Sequence, residues 1–135
     1  MRPESPLGVS LRARLAPSED AEKVLNAMKG ILRGSSHTVE ATPRELRVES
    51  SDPGSLDGIR DQSRDRHVRA AVRRRLVAGR SGHKTTVMIN RQAATAGVVA
   101  ICDSEEESPL GPIYLTIDSD RLDEVIDWLT NVQTG

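Results

Sequence analysis

Residues 9–15 read VSLRARL, with Val9, Leu11, Ala13 and Leu15 alternating with Ser10, Arg12 and Arg14. A period of two predicts a strand with one buried face. Pro17 ends it. Ser18 then offers an N-cap, with Glu19, Asp20 and Glu22 in the first turn, where the helix dipole favours acids. Ala21, Val24, Leu25, Met28, Ile31 and Leu32 recur at helical spacing, and Gly34 is expected to close that first helix.

Residues 37–41 and 45–50 predict two short strands, joined by a turn at Thr42-Pro43. After the loop Ser51-Asp52-Pro53-Gly54, a helical region is expected over 55–79 with a break near 65–67. Gly79 to Gly82 form the next turn, and TTVMI at 85–89 a strand. Residues 92–96 fit a helical turn or a bulged strand. The apolar run 98–101 suits a buried central strand. An acidic loop at 103–109 leads to the strand IYLTI at 113–117. Ser119 or Asp120 is expected to cap a last helix with Leu122, Val125, Ile126 and Leu129 on one face. Strands and helices interleaved in this way predict an α+β fold, a mainly antiparallel sheet with helices packed on one face.

Length adds one constraint. The 135 residues fit one domain over 7–135, preceded by a mobile extension at 1–6. A chain of this size can bury its own core. A single cysteine, no apolar run near 18 residues and no apolar leader point to a cytoplasmic protein. There is no Phe, one Tyr and one Trp, so the core must be aliphatic.

Charge changes the picture more. From residue 60 to 91 ten basic residues face two acids, whereas from 103 to the end nine acids face one base. Placed on a helix at about 100° per residue, Arg66, Arg69, Arg73 and Arg80 share a sector of about 60°. Val68, Ala71, Val72 and Leu76 are expected to form the side that packs on the sheet. Arg74 flanks the ridge, and Arg75 must snorkel out from among the apolar positions. Such a ridge matches a phosphate backbone, since guanidinium offers planar paired donors. The expected RNA contacts are Arg66, Arg69, Arg73, Arg74 and Arg80, extended by Lys84 and Arg91. The same pattern also fits a merely solvated face. With so few aromatics to stack bases, contacts to phosphate, 2′-hydroxyl and shape are expected, with weak sequence readout.

Other candidate chemistry is thin. Asp103, Glu105, Glu106 and Glu107 could ligate a hard cation, but a solvated acidic loop explains them as well. His37, His67 and His83 show no metal-ligand spacing with each other or with Cys102. Cys102 ends an apolar run and reads as a small buried hydrophobe. The sequence Gly79-Arg80-Ser81-Gly82-His83-Lys84 lacks the spacing of a phosphate-binding loop. No nucleophile–base pair emerges, so no enzyme, cofactor or metal is expected.

Three segments carry a family resemblance: APSED and the helix after it (16–31), NRQAATAGVVAICDSEEESPLGPI (90–113), and EVIDWL (124–129). With the basic helix between them they resemble an archaeal family of predicted RNA-binding proteins, also classed as predicted exosome subunits. That family shares the fold of the large-subunit ribosomal protein that binds five-S rRNA. The resemblance implies that fold, an archaeal source and an RNA role in a ribosomal or exosome-type particle, and supplies no catalytic residue. The chain departs from the pattern at Val68-Arg69 and Arg75, where relatives are more apolar. The expected function is non-enzymatic RNA binding. The alternative is a protein–protein module, as a homodimer or within a larger assembly. A small enzyme on a phosphorylated metabolite would need a deep cleft lined by Arg80, His83 and Cys102.

Overall fold

The computed structural model describes residues 7–32, 37–64 and 66–130. The expected extension at 1–6 and the closing Gly34 lie outside them. The elements are β1 (Leu7–Arg14), α1 (Ala21–Ile31), β2 (Thr38–Ala41), β3 (Glu45–Ser50), a 3-10 turn (Pro53–Leu56), α2 (Asp57–Gln62), α3 (Arg66–Ala78), β4 (Arg80–Ser81), β5 (Lys84–Ile89), α4 (Arg91–Thr95), β6 (Ile101–Cys102), a second 3-10 turn (Glu105–Glu107), β7 (Ile113–Ser119) and α5 (Leu122–Thr130). The seven strands form one antiparallel sheet in the order β2-β3-β1-β7-β5-β4, with β6 paired to β5. The α+β expectation is correct.

Alternation sets the two faces of the sheet. Leu7, Val9, Leu11 and Ala13 of β1 are buried beside Leu46 and Val48 of β3, Val87 and Ile89 of β5, and Ile113, Leu115 and Ile117 of β7. Met28 of α1, Leu76 of α3 and Val125 and Leu129 of α5 pack into the same core. An all-aliphatic core is feasible because Leu, Ile and Val each contribute about 1.5–3 kcal/mol when fully buried. Among the described residues no helix lies on the opposite face of the sheet. Its residues Ser10, Arg12 and Arg14 on β1 pair in register with Glu49, Arg47 and Glu45 on β3. Ser10 and Arg12 also meet Thr116 and Tyr114 on β7.

Several local expectations change. The cap of α1 is Asp20, not Ser18: its Oδ1 accepts from the amides of Glu22 and Lys23. The helical stretch after residue 55 divides into a 3-10 turn, α2 and α3 rather than two pieces. Ser63 closes α2, with its hydroxyl donating to the Ile59 carbonyl at 2.8 Å. Residues 92–96 resolve as helix, because the Asn90 side chain accepts from the Ala93 amide and caps α4. The apolar run 98–101 is not a central strand. Val98 is exposed, and only Ile101–Cys102 pairs, at the margin beside β5. Gln62 instead accepts from the Val99 amide at 2.6 Å and donates to the Gly97 carbonyl, while the Val98 amide donates to the Ala93 carbonyl and the Ala100 carbonyl accepts from the Asn90 amide.

The β4–β5 hairpin needs glycine twice. Gly82 turns the chain at φ 63°. Gly79 brings the end of α3 against β5 so closely that a Cβ there would lie 2.2 Å from the Thr86 carbonyl oxygen.

Candidate nucleic-acid interface

The structure disperses the predicted arginine ridge. Val72 and Leu76 bury one side of α3, which turns its charged side toward α5 and solvent. Arg73 donates to Asp127 at 2.8 Å and to the Thr130 hydroxyl at 3.1 Å. Arg80 pairs with Asp123. Arg75 does snorkel, reaching the Asp103 carbonyl at 3.0 Å and its carboxylate at 3.5 Å. Lys84 sits 4.0 Å from Asp118. The opposed charges of the sequence thus meet within the fold. Among the described residues only Arg69, half-buried, and Arg74, exposed, keep α3 guanidiniums with no acidic partner. The side chain of Arg66 lies outside the described part.

Arg91 is corrected outright. It is 4 % exposed and cannot touch a phosphate backbone. One of its terminal nitrogens contacts both carboxylate oxygens of Glu19, at 2.7 and 2.8 Å. Its amide donates to the Ser108 hydroxyl at 3.0 Å, and Ser108 in turn donates to the Gly111 carbonyl. Asn90 reaches the Glu107 carbonyl at 3.1 Å. Within residues 90–113, the most specific part of the family resemblance, Arg91 and Ser108 therefore make a buried polar hub joining α1, α4 and the 108–112 turn. Leu110 in that turn takes φ 68° and is exposed.

The nucleophile and metal candidates come to little. Cys102 is buried, and its thiol pKa is pushed up by that burial and by the Glu107 and Asp103 carboxylates. A raised pKa disfavours the reactive thiolate. The cavity beside it is about 120 Å³ and is lined by Arg75, Gly79 and Met88 among others, not by Arg80 and His83. Among the described residues no three His, Cys, Asp or Glu side chains cluster as a metal site. The acidic loop caps itself: Glu107 accepts from the amides of Ser104 and Asp103.

A different set of cations comes together on the uncovered face of the sheet. The Arg12 guanidinium lies 5.1 Å from the centroid of the Tyr114 ring. Arg14 is two residues along the same strand and Arg47 is directly opposite Arg12 on β3. Arg12 and Arg14 are exposed and have no acidic partner among the described residues, whereas Arg47 makes only loose pairs, at 3.5 Å to Glu45 and 3.9 Å to Glu49. Tyr114 donates its hydroxyl to Glu105 at 2.6 Å. That bond raises the phenol pKa, aided by partial burial and the Glu105 charge and opposed by Arg14 and Arg12. The alternation of VSLRARL and IYLTI already put Arg12, Arg14 and Tyr114 on outward positions. The pairing of β1 with β7, which brings them together across 102 residues of sequence, is not visible locally.

No family model matches the chain. A UPF0201 protein of Metallosphaera sedula is 38 % identical over 122 residues, covering 90 % of this chain and 85 % of its own. This chain belongs to the UPF0201 family. A second UPF0201 protein, from Sulfolobus acidocaldarius, is 36 % identical over 127 residues at 90 % coverage of this chain and 86 % of its own. The crystal structure of the UPF0201 protein from Methanococcus jannaschii superposes with a TM-score of 0.75 at 22 % identity, over 91 % of this chain and 98 % of that one, a likeness of fold. These UPF0201 relatives come from archaea, as the resemblance implied.

Proposed function

We propose that this UPF0201 chain is a non-enzymatic RNA-binding protein that holds a single-stranded segment on the open face of its sheet. One observation carries the reading: the Arg12 guanidinium over the Tyr114 ring, with Arg14 and Arg47 beside it and, among the described residues, no helix covering them. An arginine plane on an aromatic ring offers a base a flat, polarizable surface. Neighbouring guanidiniums supply phosphate contacts of the paired-donor kind. Antiparallel sheets often leave one polar face to solvent. Here that face carries Arg12 on the chain's one tyrosine, with Arg14 and Arg47 on the strand positions next to Arg12.

Affinity for a short single-stranded RNA, measured across a salt series, tests the reading. Tyr114→Ala is expected to cost about 1–3 kcal/mol, the usual effect of removing the platform for one stacked base. Arg12→Glu with Arg14→Glu is expected to weaken binding and flatten the dependence on salt by roughly 0.7 for each phosphate no longer neutralised. Absence of binding at low salt, or variants that bind as the wild type does, would remove the proposal. If light scattering showed a dimer that Tyr114→Ala dissociates, the face would belong to a protein contact instead.

A further inference from the structure

Beside the Tyr114 cluster, the same face of the sheet sinks into an open trough of about 550 Å³. It exists because β1 presents only Gly8 and Ser10 there, between Glu49 on β3 and Asp118 on β7. Gly8 is small without being forced to be, since a Cβ there would meet nothing closer than 3.7 Å. Lys84 of β5 stands at one end, 4.0 Å from Asp118. At the β2 side lies His37, whose Nε2 is buried with no hydrogen-bond partner among the described residues. A buried polar atom left unmatched costs free energy, so it marks a place where a ligand atom would be welcome.

The chemistry of the trough is specific. The carboxylates of Glu49 and Asp118 accept hydrogen bonds and repel an anion at the centre, so the occupant must offer hydroxyl donors there. Lys84 at the rim suits an adjoining phosphate. Ser10 and Thr116, which lead into the trough, are two residues along β1 and β7 from Arg12 and Tyr114. That offset is about 7 Å. A stacked base on the arginine–tyrosine pair would therefore have its sugar over Ser10.

We infer that the trough is a ribose site, in which an RNA 2′-hydroxyl donates to the Glu49 carboxylate beside Ser10 while Lys84 takes the neighbouring phosphate. The inference rests on the sheet-face reading above and adds to it a preference for RNA over DNA. The 2′-hydroxyl is the group by which a protein makes that distinction.

The test compares one 12-nucleotide sequence as RNA, as DNA and as 2′-O-methyl RNA, against wild type, Ser10→Val and Glu49→Ala. Ser10→Val fills the trough with a residue suited to a strand. Glu49→Ala removes the acceptor, so the proposal does not depend on one variant's folding. Wild type is expected to bind RNA at least about tenfold tighter than DNA or 2′-O-methyl RNA, in the range that one hydrogen bond to a charged group gives. Both variants should abolish the preference, so that RNA and DNA bind equally well. Equal binding of RNA and DNA by the wild type overturns the ribose site and leaves the sheet-face reading standing. A preference that survives both variants also overturns it. Failure of all three probes to bind overturns both.

Discussion

The Arg91 guanidinium and the Glu19 carboxylate form a buried ion pair, with both Glu19 oxygens within 2.8 Å of one arginine nitrogen and side chains only 5 % and 8 % exposed. Glu19 also accepts from the Ala16 amide at 2.8 Å, so the pair fixes the turn ahead of α1 as well as the start of α4. Removing one member leaves the other charge buried and unmatched. Glu19→Gln or Arg91→Met alone is expected to destabilise the fold by about 3–5 kcal/mol. Replacing both by aliphatic residues should recover most of that stability, because the desolvation of both charges disappears together. Urea unfolding followed by the fluorescence of Trp128, the chain's one tryptophan, reads it directly. The exposed Arg121–Glu124 pair, 3.2 Å apart, serves as control: Arg121→Ala should change stability by less than about 1 kcal/mol. A Glu19 variant as mild as that control would show that the hub does not organise the fold.

Tyr114 is the chain's one tyrosine, so its ionisation can be followed by ultraviolet absorbance without interference from another phenol. Its hydrogen bond to Glu105 holds the proton, and titration is expected above the ordinary value of 10.0. Glu105→Gln removes both the charged acceptor and the negative field, and should bring the pKa down. The sign for stability follows. A group whose pKa is raised by folding contributes fully below its unfolded pKa, and that contribution is lost as pH rises through the folded value. Wild type should therefore lose stability between the unfolded and folded phenol ranges, and Glu105→Gln should lose less. A Tyr114 titration unchanged by Glu105→Gln would contradict the bond.

What the sequence made legible was periodicity. The alternation in residues 9–15 and 113–117 and the helical spacing in 21–32 and 122–129 correspond to β1, β7, α1 and α5. It was misleading where an element's fate is decided by a distant partner. The run 98–101 is apolar enough for a core strand, yet its Val99 amide donates to Gln62, more than thirty residues earlier. Arg91 continues a basic stretch in sequence, yet Glu19 draws it inside. The charge asymmetry misled in the same way. It reflects α3 lying beside α5 and the acidic loop, where Arg73, Arg75 and Arg80 find Asp127, Asp103 and Asp123. Cross-strand pairing brought Arg12 onto Tyr114, and pairing partners are not written in a local pattern.

Gly79 tests how tightly the α3 end is bound to β5. Its amide donates to the Arg75 carbonyl at 2.9 Å, and its carbonyl accepts from the Thr86 amide at 3.3 Å. A Cβ at 2.2 Å from a backbone oxygen has no flexible side chain to push aside, so α3 and the hairpin must separate. Gly79→Ala is expected to cost about 1–3 kcal/mol, the usual range for overpacking. The equivalent change at Gly30, where a Cβ meets nothing within 4 Å, should be neutral or slightly stabilising because alanine favours helix. Thermal melts of the two variants separate the effects. Similar melting temperatures would mean that the α3–β5 approach relaxes freely.

The pairs that α5 makes with Arg73 of α3 and Arg80 of β4 decide whether that side of the molecule takes any part in RNA binding. Asp127 and Asp123 have side chains 57 % and 78 % exposed, so their bridges to Arg73 and Arg80 contribute less than about 1 kcal/mol each. Asp123→Asn with Asp127→Asn should therefore leave the fold almost as stable while releasing two guanidiniums, Arg73 on α3 and Arg80 on β4 just beyond its end. On the sheet-face reading, those guanidiniums point away from the bound strand. RNA affinity should then rise only slightly, and the slope of log affinity against log salt should stay near the wild-type value. Were the freed arginines to engage phosphates, the slope would steepen by roughly 1.4 for the two together. Steepening of that size would place the RNA path across α3, and the same variant with Arg12→Glu and Arg14→Glu would show whether the sheet face still contributes.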